Sequence, residues 1–163
     1  MHLRYAEIKD LEAIVALEQE NFEPKEQIAN QVLAYYVESL PQTCLVMESD
    51  QQELVGYLLA RPTTENRVTD NIFYQLEETE EEANYLAIAS LSIAPNFKGQ
   101  GVGTLLLAAL KELVVIQGYR GVSLTCKDHL LRYYEMNGFE DCGMSDSQFG
   151  GQVWYDMYWE NLK

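Results

Sequence analysis

Lys98-Gly99-Gln100-Gly101-Val102-Gly103 sets three glycines at alternate positions directly before an apolar run with helical spacing. Without Cβ atoms the backbone folds tightly and approaches a ligand closely, so successive N–H groups can converge on anionic oxygens. The start of a helix adds free N–H groups and the positive end of the macrodipole, and phosphate suits such a turn. Two other phosphate loops fit less well: GxxxxGK[ST] is absent, and the third glycine comes one residue early for GxGxxG. Spacing alone is also satisfied by a tight strand-to-helix connection.

A second group lies in LTCKDHLLRYYEMNGFE. Tyr134 stands four residues before Gly138, on a helix that lies beside the glycine turn if both follow neighbouring strands of one sheet. A buried tyrosine whose hydroxyl faces a cleft can give a proton to a thiolate leaving group. Taken alone, it is packing.

These residues need a frame to position them. His2 to Ile8 alternates as a first strand, and Asp10 is a candidate cap for a helix carrying Leu11, Ile14, Val15 and Leu17. Pro24 interrupts it, and a second, aromatic-rich helix is expected from Lys25 to Leu40. Thr43–Met47 and Leu54–Ala60 read as a hairpin, and the polar stretch from Arg61 to Ala83, with its acidic run at 77–82, as a long loop. Asn84–Ile93 reads as a strand, 101–117 as a helix and Gly121–Cys126 as another strand. Asp128 can cap a helix through Asn137, and Phe139–Met144 and Val153–Trp159 close the chain as strands. Neither an internal repeat nor a domain boundary is apparent, so residues 1–163 are expected to form one α/β domain.

Composition narrows the partners. The formal charge of −15 argues against nucleic acid, which needs clustered Lys and Arg. An acidic exterior suits cationic amines, and it also simply favours solubility. No apolar run approaches the ~18 residues of a membrane span, and the charged MHLRYAEIKD start lacks the apolar centre of a signal peptide. A cytoplasmic protein without membrane attachment is expected. The three cysteines, Cys44, Cys126 and Cys142, form no CxxC pair, so neither a disulfide framework nor a metal site is indicated.

The strand with K-G-Q-G-V-G-T, followed by YYEMNGF, resembles the GNAT superfamily of N-acetyltransferases, whose motifs read [QR]xxGx[GA] and Y-x-x-x-G-F. Lys98 stands where that family usually has Arg or Gln. The closest likeness is to arylalkylamine N-acetyltransferases, over LAIASLSIAPNFKGQGVGTLLL and LTCKDHLLRYYEMNGF. Those enzymes carry two histidines on the strand where this chain has Ala87 and Ala89.

The resemblance implies a mixed, largely antiparallel sheet of six to seven strands with about four flanking helices. It also implies a V-shaped cleft for acetyl-CoA between the strands ending at Ile93 and Cys126. Leu91, Ser92 and Ile93 would meet the pantetheine arm, and Lys98, Gly99, Gln100, Gly101, Val102, Gly103 and Thr104 the pyrophosphate. A backbone N–H near Leu91 would polarise the acetyl carbonyl. The implied activity is acetyl transfer to a primary amine of a small molecule by direct attack, with Tyr134 as general acid. Acetylation of a protein or peptide amine, and a non-catalytic acyl-CoA sensor, stand as alternatives.

A protonated amine must lose a proton before it attacks. Glu82, with Glu81, Tyr85, Glu23 and Glu26 as further candidates, could order the water that takes it. A local role beside Asp128 is expected for His129. Tyr35, Tyr36, Trp154, Tyr155 and Tyr158 would line the acceptor pocket, and the same aromatics would also suit a core or a homodimer contact.

Overall fold

The computed structural model describes residues 1–77 and 82–163. Glu81 and most of the acidic run therefore lie outside the described residues. The strands are β1 (His2–Tyr5), β2 (Cys44–Glu48), β3 (Leu54–Thr63), β4 (Tyr85–Ile93), β5 (Gly121–Cys126), β6 (Glu140–Met144) and β7 (Tyr155–Glu160). The α-helices are α1 (Leu11–Asn21), α2 (Asn30–Ser39), α3 (Val102–Gln117) and α4 (Leu131–Met136). One seven-stranded sheet runs in the order β1-β2-β3-β4-β5-β7-β6. Every pairing is antiparallel except β4 with β5. This is the mixed, mostly antiparallel architecture with four helices that the sequence implied.

Two cores cover the two faces. Leu106, Leu107, Leu110 and Val114 of α3 pack with Leu58, Leu86, Val122 and Leu124 on one face. Ile14 and Leu17 of α1, with Val32, Leu33 and Tyr36 of α2, pack on Val46, Tyr57, Leu59 and Ala87 on the other. The alternation of strand residues between these clusters follows the period of two that a pleated strand imposes.

Several boundaries differ from the sequence expectation, each for a tertiary reason. β1 stops at Tyr5 because the Glu7 N–H turns to the Asp10 carboxylate at 2.8 Å, and Asp10 also grips Arg4 through two 2.8 Å bonds. Asp10 is thus spent on Arg4 and Glu7, and α1 has no side-chain cap. The second helix begins only at Asn30. Before it, Pro24–Glu26 form a 3₁₀ turn, and the Ile28 N–H donates to Glu18 Oε2 at 2.9 Å instead of to a helical carbonyl. Asp128 likewise starts a 3₁₀ turn, with α4 following from Leu131. Among the described residues no helix is long and apolar enough to cross a membrane.

Candidate active site

β4 and β5 pair only over Tyr85–Gly121, Leu86–Val122 and Ala87–Ser123. Beyond Ala87 the strands part, and Ile88–Ile93 on one arm and Leu124–Lys127 on the other line a cavity of about 880 Å³. A bulge sits at the fork: Ile88 pairs with Ala60 and Ser90 with Leu59, which leaves Ala89 without a β3 partner. Such a bulge re-aims the groups beside it.

The glycine turn closes one end of this cavity. Gly99 and Gly101 both have φ of +79°, and no atom lies within 4 Å of a Cβ added at either. Conformation, rather than space, demands glycine there. At Gly103 the reason is different, because a Cβ would run into the Tyr133 hydroxyl. The first intrahelical bond of α3 is Leu105 N–H to the Gly101 carbonyl, so the N–H groups of Val102, Gly103 and Thr104 have no helical acceptor. Exposed Lys98 adds a positive charge at the same rim.

Leu91, Ser92, Ile93, Lys98, Gly99, Gly101, Val102, Gly103, Thr104 and Tyr134 all line the cavity. Gln100 is exposed, and its amide turns back to the Asn96 carbonyl at 3.4 Å. Glu82 is exposed three residues before β4, at the end of that strand opposite the fork, and is not among the lining residues. Glu18, Glu20, Glu23 and Glu26 do line it. The 3₁₀ turn at Pro24–Glu26 and the extended Gln27–Ala29 are what bring Glu23 and Glu26 there.

Tyr134 is 9% exposed, edge-on to Tyr133 and Phe139. Burial pushes its phenol above the ordinary range, with Tyr133 and Cys126 adding to the effect, so the proton stays on at neutral pH. Among the described residues its hydroxyl has no hydrogen-bond partner. Cys126, also on the wall, has its thiol pushed up to about 12 by burial and by Asp141. It is a thiol at neutral pH, which makes it a poor nucleophile. His129 is exposed at the rim, its Nδ1 3.9 Å from Asp128 Oδ1.

Glu18 was not singled out by its sequence context, although a carboxylate following Ile14 and Leu17 on an apolar face is the signal that could have found it. It is 1% exposed. Its Oε1 accepts from the Tyr57 hydroxyl at 2.5 Å and the Ser90 hydroxyl at 2.8 Å, and its Oε2 from the Ile28 N–H. One turn later in α1, Asn21 donates to Ser92 Oγ at 2.6 Å and to the Ile93 carbonyl at 2.8 Å. Together the two side chains fix β4 from the bulge to its end.

The other end of the cavity is aromatic. Phe73 stacks on Phe149 with centroids 4.1 Å apart, and the Trp154 indole donates to the Phe149 carbonyl at 2.8 Å. Neither phenylalanine announced itself in the sequence, because the two loops meet only in space. Of the expected acceptor aromatics, Trp154 is on the wall, whereas Tyr35, Tyr36, Tyr155 and Tyr158 are not. Tyr36 is fully buried, and its hydroxyl instead supports the loop by donating to the Ile72 carbonyl at 2.6 Å. Ala89 lines the cavity, but Ala87 is buried in the core behind it.

Residues 9–139 match the Acetyltransferase (GNAT) family. The chain belongs to that family, whose members are acyl-CoA-dependent acyltransferases. No curated protein sequence matches it at a significant level. Solved structures share the whole fold at low identity. The loading GNATL domain of CurA from Lyngbya majuscula is 18% identical, with a TM-score of 0.81, covering 98% of this chain and 96% of that one. A GphF GNAT-like decarboxylase in complex with isobutyryl-CoA is 15% identical, with a TM-score of 0.80 and coverage of 98% and 99%. A ribosomal-protein-alanine N-acetyltransferase from Brucella melitensis is 21% identical, with a TM-score of 0.73 and coverage of 99% and 100%.

Proposed function

We propose that this GNAT protein transfers the acetyl group of acetyl-CoA directly to a primary amine of a small molecule, with Tyr134 as general acid. One observation carries the reading: the glycine turn, the parted arms of β4 and β5 and the buried Tyr134 with its unpartnered hydroxyl all open on a single cavity. The N–H groups at the start of α3 suit a pyrophosphate, and the open edge of Leu91–Ile93 suits an extended pantetheine arm that adds as a strand would. Acetyl-CoA supplies an activated thioester. A backbone N–H beside the bulge, near Leu91, polarises its carbonyl.

The neutral amine attacks, its nitrogen bonding to the acetyl carbon as the carbon–sulfur bond breaks. The thiolate takes the Tyr134 proton, and the proton that the attacking nitrogen loses as the amide forms restores the phenol through water. Direct transfer is favoured over an acyl-enzyme because Cys126, the one cysteine on the cavity wall among the described residues, is held as a thiol. With alanines at 87 and 89, water ordered by Glu20 and Glu23 relays the ammonium proton outward, in preference to Glu82. Phe73 and Phe149, lining the same cavity as these carboxylates, fit the apolar part of an amine.

Thiol release from acetyl-CoA in the presence of an amine panel, followed over pH, tests this. Turnover should rise with pH as the ammonium deprotonates, near pH 10 for an alkylamine. The fall caused by loss of the Tyr134 proton should come only above the ordinary phenol range, because burial raises its pKa. Binding of CoA with no turnover of any amine would refute it.

A further inference from the structure

The acceptor end of the cavity already holds a cation. Lys127, directly after β5, reaches across to the 3₁₀ turn between α1 and α2, where its Nζ lies 2.6 Å from Glu26 Oε1 and 5.8 Å from the centroid of the Trp154 ring. The Glu26 side chain is only 6% exposed, whereas that of Lys127 is 35% exposed. All three residues line the cavity. Glu26 is also held from behind, since a Cβ on Gly150 would meet both its Cγ and the Lys25 carbonyl. A fixed, buried carboxylate beside an aromatic face is the arrangement that recognises an alkylammonium. A lysine ammonium on a four-carbon stem is the most easily replaced of its three members.

The chemistry of acetyl transfer then limits what can replace it. A carboxylate and a ring face both favour the charged form of an amine, whereas the amine that attacks the thioester must be neutral. A cation held by Glu26 and Trp154 is therefore not the nitrogen that reacts. We infer that Glu26 and Trp154 form an anchoring site for a second ammonium group of the acceptor, which is a di- or polyamine, and that this group displaces Lys127 when it binds. The inference rests on the acetyl-transfer reading for the step that separates the anchored nitrogen from the reacting one. The strongly acidic chain, at −15, is consistent with drawing a multiply charged cation to its surface.

Calorimetric titration of the CoA-loaded protein with 1,5-diaminopentane and with 1-aminopentane tests the site independently of turnover. The diamine should bind at least about tenfold more tightly than the monoamine, the scale of one desolvated cation contact. Glu26→Gln should erase that preference, and Lys127→Met should tighten the diamine by removing its internal competitor. The double variant E26Q/K127M, which removes both charges together, should fold, retain CoA binding and show no preference. Equal binding of the two amines to the wild-type chain would overturn the inference. So would weakening of the diamine by Lys127→Met as severe as that by Glu26→Gln, which would make the pair a structural tie. If diamine binding follows the expected pattern but no thiol is released, the anchoring site stands and acetyl transfer fails. Thiol release with the same kcat/KM for monoamine and diamine gives the reverse.

Discussion

At the scale of single residues, Glu18 and Tyr134 do opposite things with burial. Glu18 is buried and accepts three hydrogen bonds, so it serves to hold Ser90, Tyr57 and the Ile28 N–H in place. Tyr134 is buried with its hydroxyl unspent, and burial keeps the proton on it. Glu18→Ala should therefore act on stability first. Each buried donor left without an acceptor costs about 1–3 kcal/mol, so the urea midpoint should fall markedly. An unchanged midpoint would mean that water replaces the carboxylate. Tyr134 was legible in the sequence because its helix ends in Asn137-Gly138, a local signal. Glu18 was not, because its three partners come from β3, β4 and the α1–α2 connection, which no local pattern joins.

At the scale of elements, the glycine turn separates fold from binding. Gly101 is in the left-handed region with open space around it, so Gly101→Val should cost the backbone about 1–2 kcal/mol without a steric clash. The chain should remain folded by circular dichroism while CoA affinity drops by tenfold or more. Retained affinity would place the phosphate-binding amides elsewhere. The strand, turn and helix here follow from short-range pattern: an apolar run, three spaced glycines and a 3.6-residue apolar period. The start of α2 and the parting of β4 and β5 do not. One depends on Glu18 capturing a distant N–H, and the other on a parallel pairing that ends after Ala87.

For the molecule as a whole, the N-terminal edge of the sheet is tied by a charge cluster that sets its acid tolerance. Burial disfavours ionised Asp10, but the Arg4 guanidinium and the Glu7 N–H outweigh it and hold its carboxyl below the usual range. Glu48 is lowered as well, through its bond to Arg4. Because both folded-state values lie below the unfolded ones, the stability they contribute is present above about pH 4 and is lost as pH falls through the depressed values. Asp10→Asn should lower the denaturation midpoint at pH 7 and narrow its gap to the wild type at pH 2–3. A gap that is constant with pH would assign the role of Asp10 to packing. Composition disclosed the acidic excess, yet not that Arg4 of β1 gathers Asp10 from the turn before α1 and Glu48 from the end of β2.

If one cavity joins a CoA-binding turn to a proton-donating tyrosine, Tyr134→Phe separates the two roles once thiol release and CoA binding are measured on the same protein. For the best amine, kcat should fall on the order of 10²–10⁴-fold while CoA affinity and melting temperature hardly change. Full turnover by the phenylalanine variant, or loss of CoA binding in step with activity, would contradict it.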